Sequence, residues 1–173
     1  MALEIEKMLD ATGWLLLQEL QQNARLSFSD LGQRVGLSAP AVADRIHRME
    51  EAGIITGYRA EVNTSKLGLP VKAIIRLGSV AGQSCTLVAL RVSEIPEVLE
   101  CYRVTGSDSV IIKVVATSVA HLERIIDQLS LYGLPTTSIV LSKSMQKQTI
   151  TREMVERGET EEDMLSHNEA FRS

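Results

Sequence analysis

At 173 residues, with 45% apolar and 23% charged side chains, the chain has the composition of a folded globular protein with one compact domain or two small ones. Aromatics make up only 3% and Trp14 is the single tryptophan, which argues against recognition by banks of stacked aromatic side chains. The net charge is −4, and the last 23 residues, with three basic and seven acidic groups, match all of it. Such a chain is a poor general polyanion binder. Any nucleic-acid contact must come from a small local surface or from several copies acting together. No run of about 18 apolar residues is present, and Met1-Ala2-Leu3-Glu4-Ile5-Glu6 lacks a basic-then-apolar leader pattern, so the expectation is a cytosolic chain with no membrane segment.

The front of the chain predicts three short helices. Asp10 caps an apolar-rich segment running to about Gln22, with Leu16, Leu17, Leu20 and Ala24 at helical spacing and Leu9 and Trp14 placed as a hydrophobic staple. Ser27 followed by Asp30 is a capping-box variant, and Leu26 with Leu31 forms its staple. Gly36 ends this second helix near Val35, and Ser38 caps a third, with Leu37 and Val42 as staple. A linker as short as Gly36-Leu37-Ser38 forces the two helices to cross steeply, which is helix-turn-helix geometry.

In the third helix Val42, Ile46 and Met49 face inward, while Ala41, Asp44, Arg45 and Arg48 share the opposite side. Gly53 ends the helix and Ile54 packs back on Met49. The small residues Ala39, Pro40, Ala41 and Ala43 let the backbone approach another surface closely, and Arg45 and Arg48 lie one turn apart, placed to meet phosphates. The alternative is the solvated face of an ordinary three-helix bundle. Asp44 reads as an orienting partner for a nearby arginine, although a carboxylate can also accept from a cytosine amino group. His47 lies to the side, as an exposed polar residue or a phosphate contact.

Beyond Gly57 the texture changes. Residues 58–63 alternate as a short strand, and 63–70, with Gly68 and Pro70, read as a hinge. There follow a strand over 71–80, a helix over 84–95 capped by Ser84, strands over 98–105 and 109–116, a helix over 119–131 and a final long strand over 137–150. The order β-α-β-β-α-β predicts a ferredoxin-like α+β sandwich, a four-stranded antiparallel sheet with both helices on one face. The uncovered face should be apolar enough to require a second copy. The organisation is then a helix-turn-helix domain over 1–56, a strand and hinge over 57–70, a sheet domain over 71–150 and an acidic extension over 151–173; Met154, Val155, Met164 and Leu165 could line one side of a helix there, and the expectation is a solvated, partly disordered segment.

Several residues carry candidate chemistry. The stretch Thr105-Gly106-Ser107-Asp108-Ser109 joins the two middle strands, either as plain hairpin turn residues or as a loop whose amides and short polar side chains hold a small zwitterion. Cys85 and Cys101 are too few for a disulfide framework and have no neighbouring ligands, so both read as reduced thiols. His47, His121 and His167 are scattered, and none accompanies a nucleophile. No enzyme, metal site or cofactor is expected.

The ordered series Leu9-Asp10 to Leu20, Leu31, Val35-Gly36-Leu37-Ser38, Arg45, Arg48, Glu50-Glu51-Ala52-Gly53-Ile54-Ile55, Gly57-Tyr58 and Lys66-Leu67-Gly68, followed by βαββαβ, resembles the Lrp/AsnC family of feast/famine transcriptional regulators over about residues 8–150. The resemblance implies an N-terminal winged-type helix-turn-helix joined to a RAM/ACT-like amino-acid-sensing domain, in dimers and commonly octamers built from four dimers. It implies double-stranded DNA as partner, contacted from Ser27, Ser38, Ala39, Pro40, Ala41, Asp44, Arg45, His47 and Arg48. It also implies a small effector, an amino acid for instance, contacted from Thr105, Gly106, Ser107, Asp108, Ser109 and Thr137. The cellular place so implied is the cytoplasm, at the nucleoid. An architectural protein that wraps DNA with little sequence preference is the competing reading, and an amino-acid-binding module without a DNA role is a third.

Three positions depart from the family pattern. Gly13 stands where a second acid is usual, which should weaken the helix start by roughly 0.5–1 kcal/mol relative to alanine. In the effector loop the acid, Asp108, is displaced by one residue. In Pro135-Thr136-Thr137 only Thr137 keeps the familiar place.

Overall fold

The computed structural model describes residues 2–78, 84–143 and 148–157, with backbone alone for residues 2–4. The chain forms two compact units. One takes residues up to Ala60 together with the described residues 148–157; the other runs from Glu61 to the end of the sheet region. Among the described residues no helix is long and apolar enough to cross a membrane.

The first unit is built from α1 (Ala2–Met8), α2 (Ala11–Gln22), α3 (Phe28–Val35) and α4 (Ala39–Glu51). The caps sit where the sequence places them. Asp10 accepts from the Gly13 amide, Ser27 and Asp30 form a reciprocal capping box, and Ser38 accepts from the Ala41 amide. The end of α4 is a Schellman motif, with Ile54 N–H donating to Met49 O at 2.9 Å and Gly53 N–H to Glu50 O at 3.0 Å. Leu16, Leu20, Leu31, Val42 and Ile46 form the core, edged by Leu26, Val35, Leu37 and Ile55.

Three features of this unit differ from expectation. Helix α1 lies ahead of the three expected helices. Residues 58–63 form no strand, because a strand needs a neighbour to bond and none lies alongside among the described residues. The third difference concerns Ile150, expected as the end of the last strand. It docks on α2 instead: its N–H donates to Gln21 Oε1 at 2.8 Å and its carbonyl accepts from Gln21 Nε2 at 3.0 Å. Residues 152–157 are helical, braced by the Arg152–Glu156 ion pair. Residues 158–173, with Met164 and Leu165, lie outside the described part.

The second unit opens with a 3₁₀ turn at Thr64–Leu67. Its sheet holds β1 (Val71–Gly78), β2 (Val98–Arg103), β3 (Asp108–Ala116) and β4 (Leu134–Ile139) in the order β2-β3-β1-β4, antiparallel throughout. Helices α5 (Cys85–Ser93) and α6 (Val119–Ser130) cover one face. Ala73, Ile75 and Leu77 of β1 and Val110, Ile112 and Val114 of β3 meet Val88 and Val92 of α5 and Leu122, Ile125 and Leu129 of α6. The period-2 burial of β1 follows from this, since alternate side chains enter the core.

Strand β4 starts at Leu134 and stops at Ile139, earlier at both ends than the expected 137–150. Its length is set by β1, with which it pairs from Gly78↔Leu134 to Ala73↔Ile139, and as an edge strand it tolerates Pro135. On the uncovered face Ile74 and Tyr102 are exposed and Ile111 and Val115 share that side, alternating with Lys72, Arg76 and the Lys113–Glu100 ion pair at 2.8 Å. Both cysteines are free, and burial pushes the Cys101 thiol up, away from the reactive thiolate.

Candidate nucleic-acid interface

The face of α4 opposite the Val42/Ile46/Met49 core carries Ala41, Asp44, Arg45 and Arg48. Ser38, Pro40, Asp44, His47 and Arg48 are exposed, and Ala39, Ala41 and Arg45 are half-buried. Ser38 caps the Ala41 amide and Pro40 has no N–H, so the start of α4 presents small side chains and the positive end of its dipole. Ser27 lies apart from this group: its hydroxyl is engaged with Asp30 at the start of α3.

The arginines are not free cations. Arg45 makes a fork to Asp10, with Nη1 and Nη2 each 2.9 Å from a carboxylate oxygen. That ties the middle of α4 to the start of α2, because Asp10 also caps α2 through the Gly13 amide at 2.8 Å. Arg48 is paired with Asp44 one turn earlier, as an orienting acid would be. His47 turns away from the face toward Glu51 at 3.2 Å and Glu50 at 3.8 Å. Sequence reasoning did not reach the Asp10–Arg45 pair, since 35 positions separate the two residues.

The Arg45 fork, followed by the Gly13 amide, holds the Asp10 carboxyl below its usual value of 3.8. A depressed native value means the ionised form is favoured by folding. Its stabilising contribution is therefore full above the usual value and is lost as the pH falls through the native one. Thermal melts from neutral pH downward should show an acid-side loss of stability that is smaller in Asp10→Asn. An identical acid limb in both proteins would contradict this assignment. Farther along the unit, partial burial and a 2.9 Å hydrogen bond donated to Glu50 push the Tyr58 phenol up to about 12.

In the second unit, Thr105, Gly106 and Ser107 form the exposed turn between β2 and β3. Gly106 has φ +112°, and its missing Cβ faces open space. Asp108 is half-buried, and Ser109 is buried at the start of β3. Thr137 does not join them. Asp108 pairs with Gly78, which pairs with Leu134, so Thr137 sits three positions farther along β4 and two strands across. That is about 10 Å in each direction, given strand rise and spacing. Within one copy, then, the loop and Thr137 do not close a common site.

A model of the AsnC-type helix-turn-helix domain matches residues 9–50, and one of the Lrp/AsnC ligand-binding domain matches residues 72–150. The chain belongs to the Lrp/AsnC family. The HTH-type transcriptional regulator YezC of Bacillus subtilis is 41% identical over 136 residues, covering 79% of this chain and 96% of that protein. The proline dehydrogenase transcriptional activator of Rhodobacter capsulatus is 37% identical, covering 82% of this chain and 95% of that protein. Among solved structures, Bacillus subtilis LrpC superposes with a TM-score of 0.75 at 31% identity, covering 80% and 99% of the two chains. A Neisseria meningitidis transcriptional regulator in complex with L-methionine gives 0.77 at 28% identity, covering 85% and 99%. This Lrp/AsnC protein is thus a transcriptional regulator with a helix-turn-helix and a ligand-binding domain, and its relatives are regulators rather than enzymes.

Proposed function

We propose that α4 is the recognition helix of a sequence-specific regulator of double-stranded DNA, acting at the nucleoid in the cytoplasm. The observation that carries this is the outer face of α4, where an open, Ser38-capped N-terminus and a row of small residues lead to Asp44 and Arg48. Ser38, Ala39, Pro40 and Ala41 bring the helix start close to the duplex, and Arg48, steered by Asp44, meets phosphate. Arg45 serves mainly to hold α4 against the start of α2, while Ser27 and His47 are flanking contacts.

A homodimer presents two such helices to successive major grooves, and four dimers assemble into an octamer. The effector is a free amino acid. Gly106, with Thr105 and Ser107, offers backbone amides to its carboxylate, and Asp108, supported by Ser109, offers a counter-charge to its ammonium. Because Thr137 lies too far from the loop of its own copy, the loop of one copy and Thr137 of another complete the site, which ties occupancy to assembly. The related regulator solved with L-methionine supports an amino acid as the class of ligand. The test is calorimetry against the common amino acids, with light scattering at matched protein concentration. A binding heat accompanied by a mass change is expected; no heat and no mass change across the panel would overturn the effector reading.

A further inference from the structure

Helix α1 and Gly13 are the features of the first unit that the reading above leaves unused. The Met8 carbonyl lies where a side chain at position 13 would begin: an added Cβ would sit 2.0 Å from Met8 O and 3.1 Å from Met49 Cε. The first is closer than atoms can pack and is backbone, whereas the second asks only for a small shift of the flexible Met49 end. Gly13 is therefore a fitted position, and the weak helix start expected from the sequence is the condition for α1 to end where it does.

What α1 brings there is Lys7. Its last turn forms one wall of an open depression of about 610 Å³ along the outer face of α4, shared with Ala41, Asp44, Arg45, Arg48 and Glu51. Three cations line it. Arg45 is held by Asp10 and Arg48 by Asp44, whereas Lys7 forms no ion pair among the described residues. An exposed ammonium on a flexible stem, beside two cations already neutralised, is the group best able to take up a new anion.

We propose that Lys7 is a DNA-contacting residue, meeting a backbone phosphate at the flank of the α4 site, and that Gly13 positions it by letting α1 pack against the start of α2. This rests on α4 being the recognition helix. A DNA strand bordering the groove that α4 enters would pass over the depression, and its phosphates supply the negative charge that the Lys7 wall lacks.

The experiment titrates a bound duplex fragment with the full chain over a salt series, for wild type, Lys7→Gln, Lys7→Arg, Gly13→Ala and Arg48→Ala. Lys7→Gln is expected to flatten the log–log salt slope by about 0.9 per engaged helix, which corresponds to about eight-fold weaker binding at 0.1 M salt relative to 1 M. Lys7→Arg should keep the slope, and Gly13→Ala should lose it by displacing α1 while circular dichroism stays helical. An unchanged slope for Lys7→Gln beside a flattened one for Arg48→Ala would remove Lys7 from the interface and leave the α4 reading standing. Tighter binding by Lys7→Gln or Gly13→Ala would instead make α1 a shield and overturn the proposal. If Arg48→Ala also changes nothing, the α4 reading itself fails.

Discussion

Ile46→Ala is expected to lower the stability of the helix-turn-helix unit by about 2–5 kcal/mol, the usual cost of removing most of a buried branched side chain from a core that cannot collapse around the gap. Ile46 is 2% exposed and packs with Leu16, Leu20, Leu31 and Val42. This core is small and separate from the one beneath the sheet, so the loss falls on a unit with little to spare. Denaturant unfolding should therefore show an early transition assigned to the first unit, with the Ala73/Ile75/Ile112 core unaffected. A single transition with an unchanged midpoint would mean that Ile46 does not carry the packing described.

Arg48→Ala is expected to weaken DNA binding without unfolding the protein. Its side chain is more than half exposed, so little packing is lost. On the proposed reading two electrostatic effects act together: a phosphate contact disappears, and Asp44 is left unpaired on the face proposed to meet the duplex. The salt slope should flatten by about 0.9 for each recognition helix engaged. Asp44→Ala should act in the opposite sense, freeing Arg48 and tightening non-specific binding. Titrations across salt concentrations check both variants, and an unchanged slope together with unchanged affinity for Arg48→Ala would remove it from the interface.

Much of the first unit is legible in the sequence because its signals are local. Ser27 with Asp30, Gly36, Ser38 and Gly53 mark helix ends through hydrogen bonds that span only a few residues, and all form as read. The inward row Val42, Ile46 and Met49 is likewise fixed by helical periodicity. What escaped depends on contacts between distant residues. The Asp10–Arg45 fork joins the middle of α4 to the start of α2, and Gly13 looks like a defect until the Met8 carbonyl is placed beside it.

The same division holds in the sheet unit. The order of its elements follows from alternation and turn residues, but the extent of β4 is decided by its pairing with β1, which periodicity in a β-branched segment does not reveal. The docking of Ile150 on Gln21 bridges 129 positions through a side-chain amide that imitates a strand partner, and no local pattern announces it. At the loop joining β2 and β3 the turn residues are readable. The separation of Thr137 from that loop emerged only from the strand register.

Reading sequence, rather than merely holding DNA, is the role proposed for α4. The measurement that tests it most directly is the ratio of affinities for a duplex selected from bound genomic fragments and for random duplex of equal length, taken at one fixed salt concentration. Sequence-specific recognition predicts a ratio of about 10³ or more. A ratio near one, with tight binding to both, would contradict it and identify a protein that wraps DNA irrespective of sequence.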